Sequence, residues 1–145
     1  MIRNEQEYQS ALSKVAEEKK RLETQKIELS KLGLNSEEIE RGVAPFLSFH
    51  LQLVEEIEHY ERLMRGESET LENLQGLGQL LVGLRIANGI SQRELARRLD
   101  IAESQVSRDE RNEYHGISVE RASRVLQALG ARMVSQIVNT QSKAS

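Results

Sequence analysis

An all-α fold is predicted by three features of this chain: few aromatics, many straight-chain helix formers, and apolar residues that recur every seven positions. Of the 145 residues only 3% are aromatic while 30% are charged. Leu, Glu, Arg, Lys and Gln lose little rotamer freedom on a helix, whereas a β-sandwich core draws on aromatic and β-branched residues. A single proline, Pro45, interrupts the whole length.

The first element is a long helix from Asn4 to about Leu32, a stretch without proline or glycine. Tyr8, Val15, Leu22 and Leu29 repeat at seven-residue intervals, Ala11 and Leu12 widen the stripe, and Lys19 and Lys26 continue the Leu12 row. Such a helix has a narrow apolar seam with polar flanks. At 1.5 Å per residue it extends roughly 40 Å, too far for a small domain to cover the whole seam.

Gly33 then supplies a helix stop, and Asn35-Ser36-Glu37-Glu38 a cap with first-turn acids for a second helix. Two seven-residue rows follow, Ile39, Phe46, Leu53, Tyr60 and Val43, His50, Ile57, Met64, broadened by Leu47, Val54 and Leu63. Pro45 lies inside this pattern, where it removes a backbone hydrogen bond. A kink near Gly42–Pro45 and a fresh helix start at Ala44–Pro45 both accommodate it; the rows keep their phase across the proline, which favours the kink. Two helices make a thin bundle and four make a core, so the pair is expected to associate as a homodimer.

Charge divides the chain. Residues 1–70 hold 10 Lys+Arg against 15 Asp+Glu, and residues 71–145 hold 10 against 8, nine of those ten bases being Arg. The first half is acidic, the second is weakly basic with side chains suited to bidentate contacts with phosphate and guanine. Two modules with different partners are expected.

After Arg65-Gly66-Glu67-Ser68 the rows stop. Leu71, Leu74 and Leu77 predict a short helix in a link through Glu69–Gly78. Leu77, Leu80, Leu81 and Leu84 mark a helix over 77–88, ended by Asn88-Gly89. Ser91 caps the next helix, with Glu94 three residues on as in a capping box, and Leu95, Ala96 and Leu99 on its inner face. The turn Asp100-Ile101-Ala102 leads into Glu103–Arg111. Two short helices joined this tightly make a helix-turn-helix.

Gln92, Leu95-Ala96, Leu99, Ile101, Val106-Ser107 and Glu110, with the following run from Ser118 to Gly130, resemble the Cro/phage-repressor (xenobiotic-response-element) family of helix-turn-helix proteins. The resemblance implies a compact lambda-repressor-like domain that binds double-stranded DNA and regulates transcription. It departs from the family at three places. Asp100 stands for the usual turn glycine, and Asp tolerates the left-handed conformation. Ala102 stands for a Ser/Thr cap, at a cost of about 1 kcal/mol. Asp109 stands where an apolar residue is usual.

With Val106 turned inward, 100° per residue puts Ser104, Ser107, Arg108 and Arg111 on the opposite side of helix 103–111, which also carries Gln105. The resemblance assigns base-edge contacts to Glu103, Ser104 and Arg108, and a phosphate grip to Gln92. Arg108 can fork onto guanine N7 and O6, and Glu103 can accept from cytosine N4. Arg93, Arg111, Asn112, Tyr114 and His115 are candidates for backbone contacts.

These readings divide the chain into an association hairpin at 1–66, a link with a short helix at 67–76, the DNA-binding domain at 77–130 and a tail at 131–145. In the tail, Ala131–Val138 predicts either a strand pairing with its copy or a short helix, and Thr140–Ser145 a disordered end. Ile2–Leu12 and Val54–Glu61 resemble the helical region of HigA-type antitoxins, which implies a toxin as alternative partner of the hairpin. A non-DNA-binding scaffold is the third alternative.

No enzyme, metal site or cofactor is expected. Cysteine is absent, His50, His59 and His115 lack metal-ligand spacing, and Gly76, Gly78 and Gly83 do not form a phosphate loop. No apolar run approaches the roughly 20 residues that span a bilayer, so a cytoplasmic location is expected.

Overall fold

A computed structural model describes residues 1–67 and 70–141. Six helices follow one another: α1 (Glu5–Lys31), α2 (Ser36–Met64), α3 (Leu77–Ala87), α4 (Gln92–Leu99), α5 (Glu103–Arg111) and α6 (Val119–Ala128). No strand occurs among the described residues.

α1 and α2 form an antiparallel hairpin whose ends are set by local chemistry. Asn4 caps α1 by accepting from the Glu7 amide at 2.8 Å. At the tip, Gly33 adopts φ +83° and the Leu34 amide reaches back to the Leu29 carbonyl. Asn35 and Glu38 then exchange bonds in a complete capping box. Contacts climb the two helices in opposite directions: Leu29 against Gly42, Glu18 against His50 at 3.4 Å, and Tyr8 donating to Glu61 at 2.7 Å.

Pro45 lies within α2, which is one helix from Ser36 to Met64 rather than a helix that starts afresh at the proline. The neighbouring seam explains this: Val43 is buried, and the rows on either side of the proline stay in phase. One backbone hydrogen bond is lost, and packing along α1 holds the chain helical.

The foot of the hairpin is built into the C-terminal domain. Ile2, Ile57, Tyr60 and Leu63 belong to one core with Leu81, Val82, Ile86, Leu95, Val106, Tyr114, Val125 and Leu129. Gly83 makes the approach close: a Cβ there would stand 2.8 Å from Leu63 Cδ2. The upper hairpin has no such cover. Phe46 and Phe49 are 52% and 71% exposed, and Ile27 and Leu51 are also open to solvent.

The link departs from expectation. Residues 72–76 form turns instead of a short helix, with Asn73 and Leu74 left-handed at φ +51° and +64° and Gly76 at +79°. A segment this short, closed by left-handed residues, cannot nucleate a helix. Only Leu77 of the predicted leucine row is helical, as the first residue of α3. Ser68 and Glu69 of the predicted link lie outside the described residues.

The tail forms neither the predicted helix nor a strand within the chain: residues 131–140 carry no regular structure, and Val134, Ile137 and Val138 are exposed. Most of these side chains lack a surface to pack on, which leaves the backbone nothing to order it. Residues 142–145 of the predicted disordered end lie outside the described residues. No helix among the described residues is long and apolar enough to cross a membrane.

Candidate nucleic-acid interface

α4 and α5 are joined by a tight turn whose residues explain its shape. Ser91 Oγ accepts from the Glu94 amide at 3.0 Å and starts α4. The capping box is only half formed, because the Glu94 carboxylate is drawn to Arg97 and Arg98 at 2.6–3.0 Å. Those two guanidiniums hold its carboxyl down at about 2. Asp100 ends α4 at φ +54°, ψ +47°, the left-handed place expected for it. Ala102 begins α5 without a side-chain cap.

α5 has two unlike sides. Val106 and Glu110 are buried, one turn apart, while Glu103, Ser104, Arg108 and Arg111 are exposed and Ser107 is half-buried. Among the described residues Arg93, Arg108 and Arg111 form no ion pair, whereas Arg97, Arg98 and Arg121 do. Arg108 and Arg111 thus stand on the outer side of α5 without an acidic partner among the described residues. Asn112 and His115, just beyond it, are also exposed.

The inner side rests on a buried ion pair. Arg85 of α3 forks the Glu110 carboxylate at 2.6 and 2.7 Å, and its remaining donors reach the Ile90 and Arg3 carbonyls at 2.9 and 2.8 Å. Gln92 donates to the same carboxylate at 2.8 Å. These partners all lie within 2.6–2.9 Å, so the desolvation of both charges is offset by bidentate bonding. The pair fixes α5 against α3 and α4.

Asp109, the polar residue at a usually apolar place, is accommodated by two partners. Arg121 of α6 pairs with one of its oxygens, and Gln105 donates to the other at 2.9 Å. Gln105 also accepts from Arg108 at 3.1 Å, so its amide is engaged at both ends.

Tyr114 corrects the sequence expectation. It is buried beneath α5, not available at the surface for a phosphate. Glu113 and Tyr114 are both left-handed, at φ +52°, and this double reversal turns the ring into the core. Burial first, then the nearby Glu110 and Asp109 charges, push its hydroxyl well above the ordinary tyrosine value.

Residues 83–135 match the family model described as helix-turn-helix. This segment is a helix-turn-helix domain of the Cro/phage-repressor class. No curated protein and no solved structure matches the chain. The helix-turn-helix domain makes the protein a DNA-binding regulator in general terms, with α4 and α5 as the paired helices. The two cations that anchor α5, buried Arg85 and half-exposed Arg121, are absent from the site residues that the sequence pattern brought forward. The only signals for them were an acid at each of two inward positions of α5, each requiring a cation from elsewhere.

Proposed function

We propose that the protein is a transcriptional repressor that binds its operator as a homodimer, with α5 in the major groove. One observation carries this reading: α5 presents Glu103, Ser104, Arg108 and Arg111 outward while Val106 and Glu110 hold its other side. Arg108 reads guanine through its fork, Glu103 accepts from cytosine N4, and Ser104 pairs with several bases. Ser107 and Arg111 extend the same stripe.

Arg93, Asn112 and His115 flank that stripe and take phosphate oxygens. The Gln92 side chain is tied to Glu110, so its part in phosphate binding falls to its backbone N–H in the unpaired first turn of α4. Gln105, engaged at both ends, positions Arg108 and Asp109 in the free protein.

A single domain makes few phosphate contacts, and a pair on two half-sites one helical turn apart makes enough. The hairpin supplies the pairing surface: its exposed Phe46 and Phe49 are the chain's two phenylalanines, and burying them between two hairpins would complete a four-helix bundle.

The same patch supports the second reading, an antitoxin. An acidic half of the chain with exposed aromatics suits a basic protein partner, and the helix-turn-helix domain would then regulate the pair's own operon. The scaffold reading is disfavoured, since a scaffold has no use for Arg108 and Arg111 exposed on one helix side without an acidic partner among the described residues.

Hydroxyl-radical footprinting on the DNA upstream of its own gene tests the proposal. Two protected half-sites, about one helical turn apart, are expected. A footprint of one half-site removes the dimer, and absence of any footprint removes self-repression.

A further inference from the structure

Where the foot of the hairpin meets the helix-turn-helix domain, a cavity of about 370 Å³ opens that neither the DNA-reading surface nor the hairpin seam uses. Three elements line it. The last turns of α2 contribute His59, Arg62 and Leu63, one helix face by their spacing; α3 contributes Leu80 and Leu84; the link contributes Leu71. Its volume, and a lining that combines leucines with a few polar side chains, are those of a small-molecule site, and such sites favour the junctions between modules.

The charged side chains of the lining select the charge of a ligand. Arg62 and His59 are cation-bearing or donor side chains, and Arg62 forms no ion pair among the described residues. Glu67 also borders the cavity, but its carboxylate is held by Arg65 at 3.1 Å. An adjoining open groove shares His59 and Arg62 and adds Glu55, Glu56 and Glu58. These acids oppose a ligand of high negative charge while leaving room for one carboxylate on Arg62. The leucines require the rest of the ligand to be apolar.

We infer that this cavity binds a small organic monoanion with an apolar body, a medium-chain aliphatic or an aryl carboxylate. Its carboxylate bonds to Arg62, with His59 beside it, and its body lies against Leu63, Leu71, Leu80 and Leu84. α3 lines the site on one side and carries Arg85 toward Glu110 of α5 on another, so the occupant sits one helix away from the DNA-reading element.

Octanoate and its neutral isostere octanamide, titrated separately into the full-length ¹⁵N-labelled protein, test the assignment. Octanoate is expected to shift the amides of Leu63, Leu71, Gly83 and Leu84 saturably, with octanamide binding about tenfold more weakly for want of the charge-assisted bond. Arg62→Gln, on the surface and compatible with folding, is expected to bring octanoate down to the octanamide level. Equal binding of the two by the unaltered protein, an Arg62→Gln variant that binds octanoate as before, shifts centred on Phe46 and Phe49, or no saturable shift at millimolar concentration would each overturn it. The titration contains no DNA, so its failure is separate from failure of the repressor reading.

Discussion

The Arg85 guanidinium grips both oxygens of the Glu110 carboxylate, at 2.6 and 2.7 Å, with the two side chains only 3% and 0% exposed. Removing one partner leaves a buried charge alone. Arg85→Ala and Glu110→Ala are each expected to lower stability by about 3–5 kcal/mol, and the Arg85→Met/Glu110→Leu double variant by much less. Urea denaturation of the three variants checks this; single losses no larger than that of the double variant would show that the pair does not anchor α5.

A second prediction concerns two glycines of α3. A Cβ on Gly78 would stand 1.7 Å from the Glu113 carbonyl oxygen, which is backbone, and one on Gly83 would stand 2.8 Å from a leucine methyl, which can move. Gly78→Ala is expected at or beyond the upper end of the roughly 1–3 kcal/mol that overpacking costs, and Gly83→Ala at the lower end. Thermal unfolding of both variants decides; the reverse order would mean that the loop at Glu113 gives way more easily than Leu63.

Acid stability gives a third. The Glu94 carboxyl titrates at about 2 in the folded chain, below its ordinary 4.5, because Arg97 and Arg98 bond to it. A depressed carboxyl contributes its full stabilisation above the unfolded value and loses it as pH falls from about 4.5 toward 2. The pair is open to solvent, so the contribution is small. Glu94→Gln is expected to flatten the urea midpoint across that pH window, measured against the unaltered chain in the same buffers. Parallel curves would show that the ion pairs add nothing.

The hairpin gives a fourth. If Phe46 and Phe49 join two copies, Phe46→Glu with Phe49→Glu is expected to yield monomers with unchanged helix content, since both side chains already face solvent. Sedimentation equilibrium and circular dichroism check it together. An unaltered dimer would move the interface elsewhere, with the exposed tail residues Ile137 and Val138 next in line.

The features legible in the sequence were those written in neighbouring residues. Seven-residue rows marked α1 and α2, and Asn35, Ser91 and Asp100 marked ends and turns through their own side chains. Where the answer depended on distant residues, local pattern failed. Arg85 and Glu110 lie 25 positions apart, and nothing near either names the other. Tyr114 looked like a surface residue because a polar stretch surrounds it, yet two left-handed residues turn it inward. The leucines of the link kept helical spacing while Asn73, Leu74 and Gly76 took left-handed backbone. Spacing reports which residues could share a face, and tertiary contact decides whether they do.

Fluorescence anisotropy on the upstream DNA at near-physiological salt asks whether the outer side of α5 reads DNA sequence. The unaltered protein is compared with Arg108→Ala, with scrambled DNA as competitor. Tight binding that survives the competitor is expected, weakened by about 1–3 kcal/mol in the variant, with the preference for the upstream DNA over the scrambled one reduced by the same amount. Equal, weak binding of both DNAs by both proteins would contradict that reading.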